Sequence, residues 1–315
     1  MENNLNIYGV DYNLFNFINL IEKLSIEDIK HNMLYYFRKN INQPTRDYLE
    51  KYFDQYTFWG SIHDKEGNHN LLNNRATALH EHYNDLYKTY YRLDDYRSKI
   101  IFYCVLINWY YFTSLASVTE KQFSQYFDLD IMKCDKDEVF VDVGAYTGDT
   151  ILSYIRNYGA DNYKKIYCYE ITLSTIETMK KNLENYNNII YRPYGASDKT
   201  SKLYFSANKD FSANTLSETG IEEIKTVRID DDIEEPITFI KMDIEGGEQA
   251  ALRGCINQIK NHKPKLAISI YHNNEDIWKI PQMIDDICPG YSFHIRYHGG
   301  SIFPTELTLL AVYQK

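Results

Sequence analysis

A chain of 315 residues with 44% apolar and 15% aromatic side chains can fill one large core or two modest ones, which excludes a disordered protein. Its formal net charge of −10 argues against a surface that neutralises phosphates, so nucleic acid is not expected as substrate or partner. Five scattered cysteines without a C-x-x-C pair indicate neither a disulfide frame nor a zinc site and fit a reducing cytoplasm, and the amino terminus MENNLNIYGVDYN lacks the basic and apolar regions of a signal peptide.

Residues 1–125 read as a helical accessory region. NLFNFINLIEKL and EDIKHNMLYYFRK place apolar residues at helical spacing. Pro44, within residues 42–45, ends one helix, and the polar stretch 63–74 reads as a loop. Residues 100–119, IIFYCVLINWYYFTSLASVT, are uncharged over about the length that spans a bilayer. Asn108, Thr113, Ser114 and Ser117 interrupt the run and its aromatics lie inside it, so a buried helix or helix pair is expected rather than a membrane span. The region has no chemical signature of its own. Covering a sheet edge, forming a homodimer surface and supplying part of an acceptor pocket are all compatible with it.

Residues 126–315 alternate strand-like and helix-like runs. The strands fall at Val139–Val143, Lys165–Tyr169, 189–194, 239–243, 266–271, 292–297 and Leu307–Tyr313, which predicts an α/β domain with a mainly parallel sheet. The last two are joined too closely for a crossover helix and should form an antiparallel hairpin. KLYFSA and IKTVRI suggest an extra hairpin, with FSANTLSETG as a polar loop near the site.

Two of these units carry chemistry. In VFVDVGAYTGDT, residues 139–150, Asp142 closes a buried strand, and Gly144, Tyr146 and Gly148 form a turn with no Cβ at its two glycines to obstruct a ligand. Twenty-two residues after Gly148, Glu170 ends the next strand, where a carboxylate can take both hydroxyls of an adenosine ribose. Tyr146 replaces the middle glycine of a pyrophosphate cradle, which disfavours NAD and FAD. S-adenosylmethionine carries adenosine without phosphate, and its sulfonium suits Asp142, Glu170, Asp243 and Glu245, so it is the expected cofactor, with S-adenosylhomocysteine as product. In TFIKMDIEGGEQAALRG, residues 238–254, Asp243 and Glu245 stand at the carboxyl end of the fourth strand, where open α/β sheets bind ligands.

VFVDVGAYTGDT, IDDDI with TFIKMDIEGGE and L-R-G, KPKLAISIYH, and TELTLLAVY together resemble the FkbM family of S-adenosylmethionine-dependent methyltransferases, over roughly residues 122–315. The resemblance implies a class I, Rossmann-like, seven-stranded methyltransferase fold. It also implies methylation of hydroxyl oxygens on sugars, glycans or other small metabolites, and a weak role for Gln125 and Tyr126 in closing over the methionine end.

Methyl transfer to a hydroxyl needs orientation and a route for the proton. Asp243 is expected beside the methyl group and acceptor, with Glu245 facing the same crevice, and His272, in ISIYHNNED after the fifth strand, is a candidate base. Arg296 and His298 could hold an anionic or sugar acceptor. Ser197 and Asp198, in the turn after the third strand, are expected at the adenine. Asp243, Glu245 and His272 could bind Mg²⁺, though a metal is not the favoured reading. Methylation of nitrogen or of a phosphoramidate or phosphate ester, a non-catalytic binding protein of this fold, and an oxidoreductase on a related sheet are the alternatives.

Overall fold

The computed structural model describes residues 9–205, 216–217 and 222–314. They fall into two compact units. A helical unit runs up to Lys121 and includes Ile270–Gln282 and Phe293–Thr308; the second unit holds Gln122–Ser269, Met283–Ser292 and the residues from Leu309 onward.

The helical unit contains α1 (Val10–Lys23), α2 (Ile26–Asn40), α3 (Gln43–Gln55), α4 (Asn70–Arg92) and α5 (Tyr96–Tyr111). Polar side chains that take up orphan amides start three of them. Ser25 and Asp28 form a reciprocal capping box on α2, Asn42 accepts from the Thr45 amide at α3, and Asp95 accepts from the Ser98 amide at α5. Pro44 therefore opens α3, in the first turn where a missing amide is harmless. The expected loop over residues 63–74 is shorter than the sequence suggested: α4 begins at Asn70, because Leu71 and Leu72 are fully buried and draw the chain into helix.

Helix α5 buries almost every face, including Phe102, Val105, Leu106 and Trp109, which accounts for its uncharged sequence. It stops at Phe112, which takes a left-handed backbone (φ 52°). Asn108, buried, donates to the carbonyls of Thr113 (2.6 Å) and Ile302 (2.9 Å). Among the described residues no helix is long and apolar enough to cross a membrane.

At the start of α5, Asp95 also accepts from Arg296 (2.9 Å) and His294 (2.8 Å). Burial alone would raise the Asp95 pKa, but hydrogen bonds from His294, Arg296 and Ser98 outweigh it and hold it well below the usual carboxylate range. The folded value is lower than the unfolded one, so the stabilisation is present above about pH 4 and is lost as pH falls toward the folded value. Asp95→Asn removes the carboxylate that pairs with the buried Arg296. A loss of roughly 2–4 kcal/mol is expected in urea unfolding at pH 7, after a discount for partial exposure, shrinking as pH falls toward 3.

The second unit supplies β1 (Val139–Val143), α6 (Asp149–Tyr158), β2 (Lys165–Tyr169), α7 (Leu173–Asn182) and β3 (Ile189–Arg192). A small sheet of β4 (Gly195–Ala196), β5 (Ser201–Phe205), β6 (Leu216–Ser217) and β7 (Glu222–Val227) follows, in the order β4-β7-β5-β6. The expected hairpin exists as the antiparallel β5–β7 pair. Most of its expected polar loop, FSANTLSETG, lies outside the described residues. The chain continues through α8 (Ile229–Asp232), β8 (Phe239–Met242), α9 (Glu248–Arg253), α10 (Ile256–His262), β9 (Lys265–Ser269), α11 (Asp276–Ile287), β10 (Tyr291–Tyr297) and β11 (Leu307–Tyr313).

The main sheet has seven strands in the order β10-β11-β9-β8-β1-β2-β3. Strands β9, β8, β1, β2 and β3 are parallel, and the carboxy-terminal strands run antiparallel, as the short connection between them predicts. Phe140 on β1 stacks on Phe239 of β8 (4.6 Å between centroids) and on Tyr154 of α6 (5.1 Å). The chain's cysteines are all unpaired, four of them buried. Burial pushes the Cys104 and Cys134 thiols up to about 12 and those of Cys168 and Cys255 well above their ordinary value.

Candidate active site

Strand register sets out the site. On β1, Val143 lies opposite Tyr169 of β2 and Met242 of β8. The next residue of each strand, Gly144, Glu170 or Asp243, therefore emerges side by side at the carboxyl edge of the sheet. The turn after β1 then climbs through Gly144 (φ 79°), Tyr146 (φ 44°) and Gly148 (φ 82°), the last of which starts α6.

The glycines serve packing inside the chain rather than ligand access alone. A Cβ on Gly144 would lie 1.9 Å from the Asp243 carbonyl oxygen, and one on Gly148 would meet Leu183 and Met179 at 2.9–3.0 Å. Glycine at 144 thus lets the β1 turn cross against the end of β8.

Glu170 holds this turn from the other side. One carboxylate oxygen accepts from the Tyr146 amide (3.1 Å), and the other accepts from the amides of Ile171 and Thr172 (both 2.8 Å). A carboxylate offers about four acceptor sites. The Tyr146-bound oxygen keeps one for a hydroxyl, whereas the other oxygen can take a second hydroxyl only by sharing with an amide.

Asp142 faces inward. Fully buried, it pairs with the buried Lys241 ammonium at 3.0 Å, and burial pushes its pKa up to about 6 against the pull of Lys241. Lys241 also donates to the Gly144 carbonyl (2.8 Å) and lies over the Tyr126 ring (5.2 Å). Burial disfavours its charge, but the carboxylates of Asp142 and Asp243 raise its pKa nonetheless.

Asp243 follows β8 and its Oδ2 accepts from the Tyr126 hydroxyl at 2.5 Å, while Gln125 Nε2 donates to the same hydroxyl at 3.0 Å. The chain Gln125–Tyr126–Asp243 joins three of the expected residues and fixes the carboxylate's rotamer. Tyr126 holds a left-handed backbone (φ 70°), as does Glu245 (φ 56°), which marks both as held by their surroundings. Glu248 is buried at the first position of α9 and accepts from the Ile244 amide (2.8 Å), so it braces the turn that carries Glu245.

Asp198 accepts from Arg253 (2.9 Å), whose hydrogen bond lowers its pKa. Ser197 is buried, its amide donating to the Val227 carbonyl (2.9 Å), and a Cβ on Gly254 would lie 2.1 Å from the Ser197 carbonyl oxygen. The L-R-G sequence therefore ties α9 to the expected adenine turn. His272, Arg296 and His298 belong to the helical unit. His272 is buried with its ring 5.8 Å from Phe58. Arg296 is buried and engaged by Asp95 and Ser98, and the His298 amide donates to the Glu306 carbonyl.

The residue that sequence reasoning passed over is Lys241. A lone cation in the apolar run TFIKMD is the signal that could have found it, because a buried ammonium must have a partner. The IDDDI carboxylates are structural: Asp230 accepts from the Asn257 and Gln258 amides at the start of α10, and Asp232 from Tyr169 and Arg192.

Residues 142–295 match the family model described as the methyltransferase FkbM domain. The fold is similar to that of a methyltransferase FkbM from Methylobacillus flagellatus (TM-score 0.65, 23% identity, covering 87% of this chain and 72% of that one). Weaker likeness extends to an rRNA methylase from Streptococcus thermophilus (TM-score 0.38, 12% identity, 58% and 90%). It extends also to Aeropyrum pernix fibrillarin in complex with S-adenosyl-L-methionine (TM-score 0.38, 11% identity, 57% and 67%). No curated protein matches the chain.

Proposed function

We propose, from the match of residues 142–295 to the methyltransferase FkbM domain, that this chain transfers a methyl group from S-adenosylmethionine to a hydroxyl oxygen of a sugar, a glycan precursor or another small metabolite. The observation that carries this reading is the emergence of Gly144, Glu170 and Asp243 at one sheet edge, with Glu170 bound to the Tyr146 amide and Asp243 to the Tyr126 hydroxyl. The acceptor class rests on the family resemblance, and the net charge of −10 weighs against a polyanionic acceptor.

The donor set fits the cofactor. Glu170 keeps an acceptor site for a ribose hydroxyl, and the positive-φ turn at Gly144 and Tyr146 borders the same edge. When bound, S-adenosylmethionine supplies the electrophilic methyl group. The chain's own task is then to orient the acceptor for in-line attack in a dry site, an effect worth up to about 7–11 kcal/mol. Asp243, pinned by Tyr126, is placed to take the hydroxyl proton, a contribution typically on the order of 10²–10⁴ in rate. Lys241 keeps the carboxylates beneath the turn from repelling one another.

Calorimetric titration with S-adenosylhomocysteine tests the cofactor site, with NADH as the control. Micromolar affinity is expected for the native chain and at least a tenfold loss in Glu170→Ala, because hydrogen bonds to a charged group contribute about 1.5–3 kcal/mol. A folded, ligand-free protein that ignores S-adenosylhomocysteine would end the methyltransferase reading.

A further inference from the structure

In the helical unit, α4 carries a guanidinium in an unusual position. Arg75 is 1% exposed, and its Nε and Nη1 are buried with no hydrogen-bond partner among the described residues. Among the described residues its charge is met by aromatic faces: the guanidinium carbon lies 4.2 Å from the Phe303 ring centroid and 5.5 Å from that of Trp109. Arg75 lines a small cavity of about 10 Å³, together with Trp59, Trp109 and Asn274 and otherwise mostly aliphatic walls. The Asn274 side-chain oxygen is likewise buried without a partner.

Leaving a charge in such a place carries a large desolvation penalty. Desolvated cation–π contacts return only part of it. Burial lowers the Arg75 pKa to about 9, which still leaves the group protonated at neutral pH. The cavity holds one water-sized particle. Water would satisfy hydrogen bonds but not the charge. An anion of similar size would do both, and a half-turn of the Asn274 carboxamide, which exchanges two ends of nearly the same shape, would present it with an N–H donor.

The geometry points to a binding site for a small monovalent anion of chloride size, formed by Arg75 and Asn274 beside the rings of Trp109 and Trp59. It is independent of the cofactor edge and of the methyl-transfer reading. Free chloride is the probe, and a bulky organic anion serves as its counterpart.

Thermal unfolding of the full chain is followed in sodium chloride and in sodium gluconate at matched ionic strength. The native protein is expected to show a saturable rise in Tm of about 2–4 °C in chloride over gluconate. Asn274→Asp supplies a built-in carboxylate beside Arg75 and should abolish that difference while raising Tm in gluconate. Arg75→Met should abolish it as well; if that variant does not fold, Asn274→Asp decides alone. Superimposed chloride and gluconate curves for the native chain would overturn the assignment, as would a chloride effect that persists undiminished in Asn274→Asp.

Discussion

Lys241→Met is expected to destabilise the protein by about 3–5 kcal/mol, because it leaves the fully buried Asp142 without its cation. The pH dependence gives the check. Asp142 already has a folded pKa raised to about 6, above its unfolded value of about 3.9. Its contribution to stability is therefore complete below about pH 4 and is lost as pH rises through 6. Without Lys241 the folded value climbs further, so the loss extends to higher pH and the gap between native and variant narrows on acidification from pH 8 to 5. Urea unfolding across that range measures it. The double variant Asp142→Asn/Lys241→Met removes both charges and should recover at least half of the loss. A double variant no more stable than Lys241→Met alone would show that the pair's electrostatics are not what Lys241 supplies.

Gly144→Ala should be nearly as damaging and should also cost function. A left-handed backbone penalises any Cβ by about 1–2 kcal/mol, and here the new atom would lie 1.9 Å from the Asp243 carbonyl oxygen. The end of β8 must move, at a further cost of roughly 1–3 kcal/mol, and Asp243 moves with it. The expected result is a stability loss of about 2–5 kcal/mol and at least a tenfold loss in S-adenosylhomocysteine affinity. Gly9 provides the control. It shares the positive φ (67°), but among the described residues a methyl group there would meet nothing within 4 Å, so Gly9→Ala should show the backbone penalty alone and leave affinity unchanged. Equal losses for the two variants would rule out a steric role for the crossing at Gly144.

Much of the second unit could be read from the chain because its strands are short apolar runs that end in glycine or a carboxylate. The positions of β1, β2 and β8, and hence the row Gly144, Glu170 and Asp243, follow from that pattern once the strands are aligned in register. The reasons for those residues were less visible. Gly144 and Gly254 are glycine because another part of the chain lies against them, and a sequence does not display contacts between segments far apart in it. The same holds for Arg296: its place near the exit of the sixth strand suggested an acceptor contact, and its partner Asp95 stands 201 residues away. In the helical unit, periodicity found α1 and α2, but the start of α4 was hidden by its polar residues. Arg75 carried no signal at all, since an arginine on a helix is ordinarily solvated.

The burial of the thiols has a practical side. Cys104, Cys168, Cys255 and Cys288 are buried and Cys134 is half-buried, and thiolate is the species that reacts with maleimides and iodoacetamides. The folded chain is in effect a silent background for cysteine chemistry. One cysteine placed on an exposed helix position would carry a fluorophore or spin label to a single known site, with no native cysteine having to be removed first.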